Sequence, residues 1–390
     1  MQRYLVNSPV GQSRASAFLS TQASFFPSPN PLNYSQLFYQ TALKIMTTSA
    51  PFAAQGNQTI DNLIHLKPGQ IVGEWRDSTY GIGGAKIPYD VNTALVPAAL
   101  RSIAALAQAG FFPQQPTWAQ DAAKYAQVWE DSTLQFFEVR VSQSDAISRV
   151  NSYVSTTGFN GSSQSSEIDG DVTFHVLGLQ GNNQLPQVQV MNSDDCFRHF
   201  LVNSTGNQTQ LTSFMNSTAN NLRRRFPAGL MTDVGMLVAN PALGTDYGSG
   251  VLAANWTNNA YHGTVVWSWQ LAMMARGLEV QIARCNTPAS FSSNPNASYT
   301  AAAPVPAWCS DETVKANVLS AYNGLWDGID ANRQHLTTEV WSWTLGSGGA
   351  FGFVDLGALP PPPGQGPTES DVVQLWSLTF LAVGRNEALK

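Results

Sequence analysis

The 390-residue sequence predicts an all-α fold, on three observations. Apolar residues recur every three or four positions over long stretches. The helices marked in this way come in pairs, joined alternately by short turns and by long loops. The long loops hold most of the aromatic and acidic residues. Short turns on one face and functional loops on the other are what an α/α toroid produces. No fixed-period repeat points to a solenoid. A β-hairpin excursion near 170–192 is the expected exception.

In chain order, residues 1–30 read as irregular and end on Pro27, Pro29 and Pro31. Tyr34–Met46 has helical spacing through Leu37, Phe38, Ala42 and Ile45. A long loop over 73–92 feeds a helix with apolar positions Val91, Leu95, Ala99, Ile103 and Leu106. Gly110 stops that helix, and Pro97 falls inside the pattern and is expected to kink it. Thr117 with Gln120 forms a capping-box pattern for the next helix, carried by Trp118, Ala122, Tyr125, Trp129 and Leu134. Together 91–109 and 117–138 predict an antiparallel helix hairpin. Val172–Leu179, a Gly-Asn-Asn turn and Val188–Met191 predict the β-hairpin. Further helices are expected over 209–225, from Trp269 to about Arg284, from Ser310 through Leu325, and from Thr368 and Asp371 through Leu381. Residues 338–352 read as a Gly-rich loop, and Pro360–Pro363 as a rigid spacer. About seven helices stand out where six hairpins need twelve, so the missing ones are expected to be short, hidden in 140–260, or upstream, the last of which would leave the toroid incomplete with its N-terminal part missing. Residues 1–72 are assigned to an N-terminal segment with the first helices, and 73–390 to the barrel, in a single domain.

Hydrophobic residues make up 43% of the chain and charged residues only 12%, about half the usual share, so neutral polar groups must cover most of the surface. Net charge is −6, and the one basic run, Arg223-Arg224-Arg225, is too small for a nucleic-acid footprint. No apolar run reaches the length of a membrane span. Eight Asn-X-Ser/Thr sequons, at Asn33, Asn57, Asn160, Asn203, Asn207, Asn216, Asn255 and Asn296, favour a secreted protein, with 203–216 as a glycosylated surface loop. The first residues lack a signal-peptide run, so a signal is expected upstream of this chain. Of the three cysteines, Cys285 and Cys309 flank a Pro-, Ser- and Asn-rich loop that an oxidising compartment would let a disulfide close. No Cys/His spacing suggests a metal site, and no cofactor motif is present.

The stretch Gly73-Glu74-Trp75-Arg76-Asp77-Ser78-Thr79-Tyr80-Gly81 gathers two acids, an indole and a guanidinium before the glycines 83 and 84. Such a group suits a sugar site, where aromatic faces meet C–H surfaces and polar side chains meet hydroxyls. The plainer reading is a buried Arg–Asp pair bracing a loop. Trp267, Trp269, Trp341 and Trp343 fall two apart, so on a helix neither pair shares a face.

The order of motifs resembles the six-hairpin glycosidases, most nearly the amylo-1,6-glucosidase domains of glycogen-debranching enzymes and their secreted fungal relatives. Trp75-Arg76-Asp77, Gly83-Gly84 and Asp90-Val91-Asn92 stand in the order of that family. Tyr261-His262-Gly263-Thr264-Val265-Val266-Trp267-Ser268-Trp269 resembles its Tyr-His-X-Gly-Thr-Val-Trp-X-Trp segment, one residue shorter after the histidine. Thr338-Glu339-Val340-Trp341 and Gln374-Leu375-Trp376-Ser377 resemble its last two. The resemblance covers about 70–386. It implies an (α/α)6 barrel and an inverting, glucosidase-like hydrolase, monomeric and acting on a carbohydrate, with no partner nucleic acid or membrane.

It also implies Asp77 as general acid and Glu339 as base, since glycoside hydrolysis needs two carboxyl groups on opposite sides of the sugar. Burial of Asp77 beside Trp75 would favour the protonated form an acid needs, against the charge of Arg76. Trp75, Arg76, Asn92, Tyr261, His262, Trp341 and Trp343 are the candidate substrate binders. Glu74 is a rival acid, and Glu369 an alternative base that reads equally as a helix-start residue. Two other classes stay open: a polysaccharide lyase using Asn259, Tyr261, His262 and Arg76, and a non-catalytic carbohydrate-binding toroid.

Overall fold

The computed structural model describes residues 2–390 except 24–30, 79, 203–205, 246–250, 286–304, 365 and 367–374. The protein is mostly helical, about 53%, with several small sheets. Its residues fall into two compact units that interleave along the chain: up to Ile64 with Val91–Leu134, and His65–Asp90 with Gln135–Asn286 and Val305–Lys390.

The first unit holds helices α1 (Gln2–Leu5), α2 (Pro9–Ser20), α3 (Tyr34–Ala53), α4 (Val96–Gln108) and α5 (Trp118–Ser132). The N-terminal stretch expected to be irregular contains α2, because Ser8 accepts from the Gly11 amide and Pro9 supplies a preset φ in the first turn. α4 and α5 form the expected hairpin. Arg101, midway along α4, reaches Glu130, near the end of α5, at 2.9 and 2.8 Å, and ties the two helices together. Trp129 donates to the Ser49 carbonyl at 3.1 Å and packs on Phe52, tying α5 to α3. The apolar stripe of α4 departs from its expected register: Pro97, Leu100 and Ile103 are buried, and Leu95 is exposed. The cause is a π-helical turn over Val91–Leu95. Pro97 has no N–H to bond four residues back, so the wider turn precedes it, and the buried positions fall at Pro97 and Leu100 in place of Leu95 and Ala99. Gly110 stops α4 at φ +83°. Thr117 makes no capping bond, contrary to the box expected there: its backbone is already helical, and its carbonyl takes the Gln120 and Asp121 amides.

The second unit holds α6 (Gln143–Thr157), α7 (Asp195–Leu201), α8 (Gln208–Arg223), α9 (Val251–Asn255), α10 (Ser268–Ala283) and α11 (Glu312–Ala331). α10 is buried on nearly every face and packs against α7 and α11. α11 buries Val314, Val318, Tyr322 and Leu325, as its spacing predicts. The sequon at Asn216 lies within α8, where Asn317 donates to its side chain at 2.7 Å, and Asn207 caps the same helix; the surface loop expected over 203–216 is therefore largely helix. Cys285 and Cys309 are joined by a disulfide, with Cα atoms 5.1 Å apart.

Two readings of the sheets change. The hairpin near 170–192 is confined to its tip, where Leu177 and Gly181 donate to Val188 and Leu185; Val172–His175 pairs instead with Glu138–Val141. Residues 340–345 are a strand, not loop. Val340–Leu345 pairs with Phe351–Asp355 on one side and with Val266–Trp267 on the other. β-branched and aromatic residues dominate that run, and the Gly346–Gly349 stretch makes the turn. The last helix is described only over Leu375–Leu381, as a 3-10 segment; its expected start at Thr368 and Asp371, and Glu369 with it, lies outside the described residues.

Candidate functional site

The site is built where two distant segments are pinned to one antiparallel strand pair. Trp267 opposes Val340 and Val266 opposes Trp341, so Glu339 lies next to the end of the 266–268 segment, and its carbonyl takes the Ser268 amide. Tyr261 and His262 precede that strand by a tight turn. The Tyr261 hydroxyl donates to the Glu339 carboxylate and lies within the electrostatic reach of Asp77. Burial, Glu339 and Asp77 all hold Tyr261 in its protonated form, so it is a standing donor to Glu339.

Arg76 fixes the other segment. It is wholly buried, with its Nε and Nη2 each 2.9 Å from Asp194, Nη2 2.7 Å from the Val238 carbonyl, and Nη1 3.4 Å from the His262 carbonyl. Trp75 lies over its guanidinium at 4.4 Å and donates to Asp194 at 3.2 Å. The expected substrate binder is thus a brace. The plainer reading of the loop holds in kind, with Asp194 as the carboxylate. Trp75 meets His262, Trp267 and Trp269 edge-on, behind the site rather than on its wall.

Asp77 follows the brace and turns outward. Its side chain is 70% exposed, so the burial against Trp75 expected of it does not occur. Ser78 Oγ lies 2.7 Å from His262 Nδ1, and His262 Nε2 lies 4.0 Å from Asp77 Oδ1. Burial and Arg76 push His262 well below its ordinary value, so it is neutral and that approach is not an ion pair. Together Asp77, Ser78, Tyr80, Asn255, Trp256, Ala260, Tyr261 and His262 wall a pocket of about 220 Å³. Glu339 stands behind Tyr261, only 2% exposed, and burial raises it above the usual carboxylate range against the pull of the Tyr261 hydrogen bond.

The remaining candidates are not among the residues that line this pocket. Asn92 belongs to the first unit, where its side chain accepts from the Ile64 amide at 2.7 Å and donates to the Ile64 carbonyl at 3.1 Å. On the strand, Trp341 and Trp343 share one face, as residues two apart do in β structure. Trp341 is fully buried and donates to Val234; Trp343 donates to Thr264 and lines a different cavity. Asn259 donates to the Pro360 carbonyl.

Sequence reading missed Asp194 and Trp256, which sit in no motif. It also missed the state of Glu74, whose two carboxyl oxygens are buried. Burial, then Asp90 and Asp194, push Glu74 up to about 9. Among the described residues, no cluster of His, Cys, Asp and Glu could hold a metal ion, and no helix is long and apolar enough to cross a membrane. Comparison with family models, curated proteins and solved structures finds no match to this chain.

Proposed function

We propose that this chain is a glycoside hydrolase whose helix pairs belong to an (α/α)6 toroid, and that it cleaves a glucosidase-type bond of an oligo- or polysaccharide with inversion. The observation that carries the reading is the convergence of Asp77 and Glu339 on Tyr261. Two acids 262 positions apart act on one hydroxyl, Glu339 as its hydrogen-bond acceptor and Asp77 through its charge alone, beside a pocket that is otherwise neutral and aromatic. Such a pair can divide the labour of hydrolysis, one carboxyl protonating the departing oxygen while the other activates water. The resemblance gives Asp77 the first role and Glu339 the second. Tyr261 would hold Glu339 in place, and neutral His262 would fix Ser78 and the backbone that carries Asp77.

One observation favours a second reading in which the roles are exchanged. Glu339 is the buried, raised carboxyl, as a general acid must be, and Asp77 is the one open to water. The lyase alternative is disfavoured because Arg76, needed there to neutralise a uronate, is enclosed and fully bonded to the protein.

The test is a screen of neutral oligosaccharides for release of reducing sugar, with the anomer of the first product followed by NMR. Inversion with loss of turnover in Asp77→Asn and Glu339→Gln supports the proposal. Binding without turnover in the unaltered protein would instead support a non-catalytic carbohydrate-binding role. An unsaturated-uronate absorbance would support the lyase.

A further inference from the structure

We infer that the pocket beside Asp77 is one end of a longer trough for an uncharged sugar chain, with Tyr80 as the platform between its two parts. The inference rests on the glycoside-hydrolase reading and adds to it a substrate class and a specificity residue. A second cavity, of about 520 Å³, adjoins the 220 Å³ pocket. The two share Tyr80, Asn255 and Trp256 as walls. Alone, the smaller falls below the roughly 300–1,000 Å³ of a typical ligand site; together the two lie within it.

The chemistry of the larger cavity excludes most ligands. No charged side chain lines it, so a phosphate or uronate would lose its hydration with no cation to replace it. Asn182, Asn183 and Asn255 give it amide groups that a lipid could not use. Leu185, Tyr80 and Trp256 give it apolar surface that suits the C–H faces of a pyranose. Amides for hydroxyls and flat apolar surface for ring faces describe an uncharged saccharide.

The trough is also held open by its frame. Asn182 donates to the Gly83 carbonyl at 2.8 Å, tying the Gly83 turn to the hairpin tip. Gly83 sits at φ +63°, and a Cβ there would come within 2.8 Å of the Trp256 ring and 2.9 Å of Val188. Tyr80, in contrast, is 40% exposed and bears on both cavities. One ring beside Asp77, with the following units laid past Tyr80 into the larger cavity, is the arrangement this geometry accommodates.

Tyr80→Ala tests it by a split in kinetic constants. Maltotetraose, cellotetraose and xylotetraose are assayed beside the matching p-nitrophenyl monoglycosides. The expected result is a KM raised about tenfold for the tetrasaccharide that is turned over, with kcat nearly unchanged. The monoglycoside KM rises by a clearly smaller factor, since Tyr80 also walls the pocket beside Asp77, and Tyr80→Phe restores the wild-type tetrasaccharide value. Equal effects on long and short substrates, or none on either, overturn the trough and leave the hydrolase reading intact. If the unaltered protein hydrolyses none of them, that reading fails, and calorimetric titration with the same tetrasaccharides decides the trough. Tyr80-dependent binding sustains it, and no binding, or equal binding of tetragalacturonate, overturns it.

Discussion

Arg76 and Asp77 are neighbours in sequence and opposites in fate. Every direction of the Arg76 guanidinium meets a protein acceptor, and none of its surface reaches solvent. Asp77 is 70% exposed at the mouth of a pocket. Three positions earlier, Glu74 is a third case, half-buried as a residue but with both carboxyl oxygens enclosed, and with only the Arg76 backbone amide and charge pulling against that burial. The lesson concerns the polar side chains of one short loop. Those whose hydrogen-bonding capacity the fold consumes hold the loop in place. One that the fold leaves open to solvent is available to a ligand. One that is buried and unconsumed must change its protonation state instead.

The largest expected effect breaks or sustains the contrast directly. Asp77→Asn and Glu339→Gln each lower kcat by about 10²–10⁴-fold, with circular dichroism and melting unchanged, because each removes a proton-transfer group at constant shape. A dinitrophenyl glycoside, whose leaving group needs no proton, then restores turnover in whichever variant lacks the acid. Rescue of Asp77→Asn supports the roles the resemblance implies; rescue of Glu339→Gln supports the roles that burial implies. The pH profile gives the same answer by sign. With Glu339 raised, a base at that position displaces the acidic limb of kcat/KM upward from the usual carboxylate range, whereas an acid there sets the basic limb.

How much of this was legible follows from where each partner lies. The α4–α5 hairpin and the buried face of α11 could be read because helical periodicity is local, within four residues. The partner of Arg76 could not, since Asp194 stands 118 positions away and carries no motif. The strand at 340–345 was hidden for a related reason. Two-residue spacing of Trp341 and Trp343 is incompatible with one helical face but natural in a strand, and what makes it a strand is pairing with 266–267 and 351–355. The π turn at 91–95 depended on a missing N–H at Pro97, which was visible, and on its consequence for register, which was not.

Next in size is the cost of breaking the brace. Asp194→Ala leaves the Arg76 charge enclosed without its carboxylate, and should lower unfolding stability by about 3–5 kcal/mol. Asp77→Ala, three bonds along the same loop but open to water, should fall within about 0.5 kcal/mol of the unaltered protein. Urea titrations of the two variants measure the contrast; equal midpoints would mean that the two sides of the loop do not differ. The effect expected at Glu74 depends on pH and starts from none near pH 4. A carboxyl raised from 4.5 to about 9 keeps its proton in the folded state while the unfolded chain gives its proton up. The folded state therefore binds more protons between those values, and stability falls by up to about 1.4 kcal/mol per pH unit across that window. Glu74→Gln, neutral at every pH, removes that slope. Its advantage in melting temperature should be absent near pH 4 and grow towards pH 9, and parallel curves for the two proteins would refute the raised carboxyl.

The smallest effect separates consumed from unconsumed hydroxyls at two helix starts. Ser142 has an extended backbone (φ −58°, ψ 151°), which aims its Oγ at the first free amides of α6, and it accepts from Asp145 at 3.2 Å. Thr117 has a helical backbone (φ −93°, ψ −13°), which turns its hydroxyl away from those of α5, and its main-chain carbonyl takes the Gln120 and Asp121 amides at 3.0 Å each. A side chain can cap only from the extended conformation, so identity alone does not make Thr117 a cap. Ser142→Ala should cost about 1 kcal/mol by removing the side-chain acceptor of that amide. Thr117→Ala deletes a hydroxyl with no capping bond to lose, in favour of a better helix former, and should lie within about 0.5 kcal/mol of zero. Thermal melts of the two single variants suffice. If Thr117→Ala costs as much as Ser142→Ala, the hydroxyl at 117 is engaged in solution, and the capping box expected from its sequence is the correct description of that helix start.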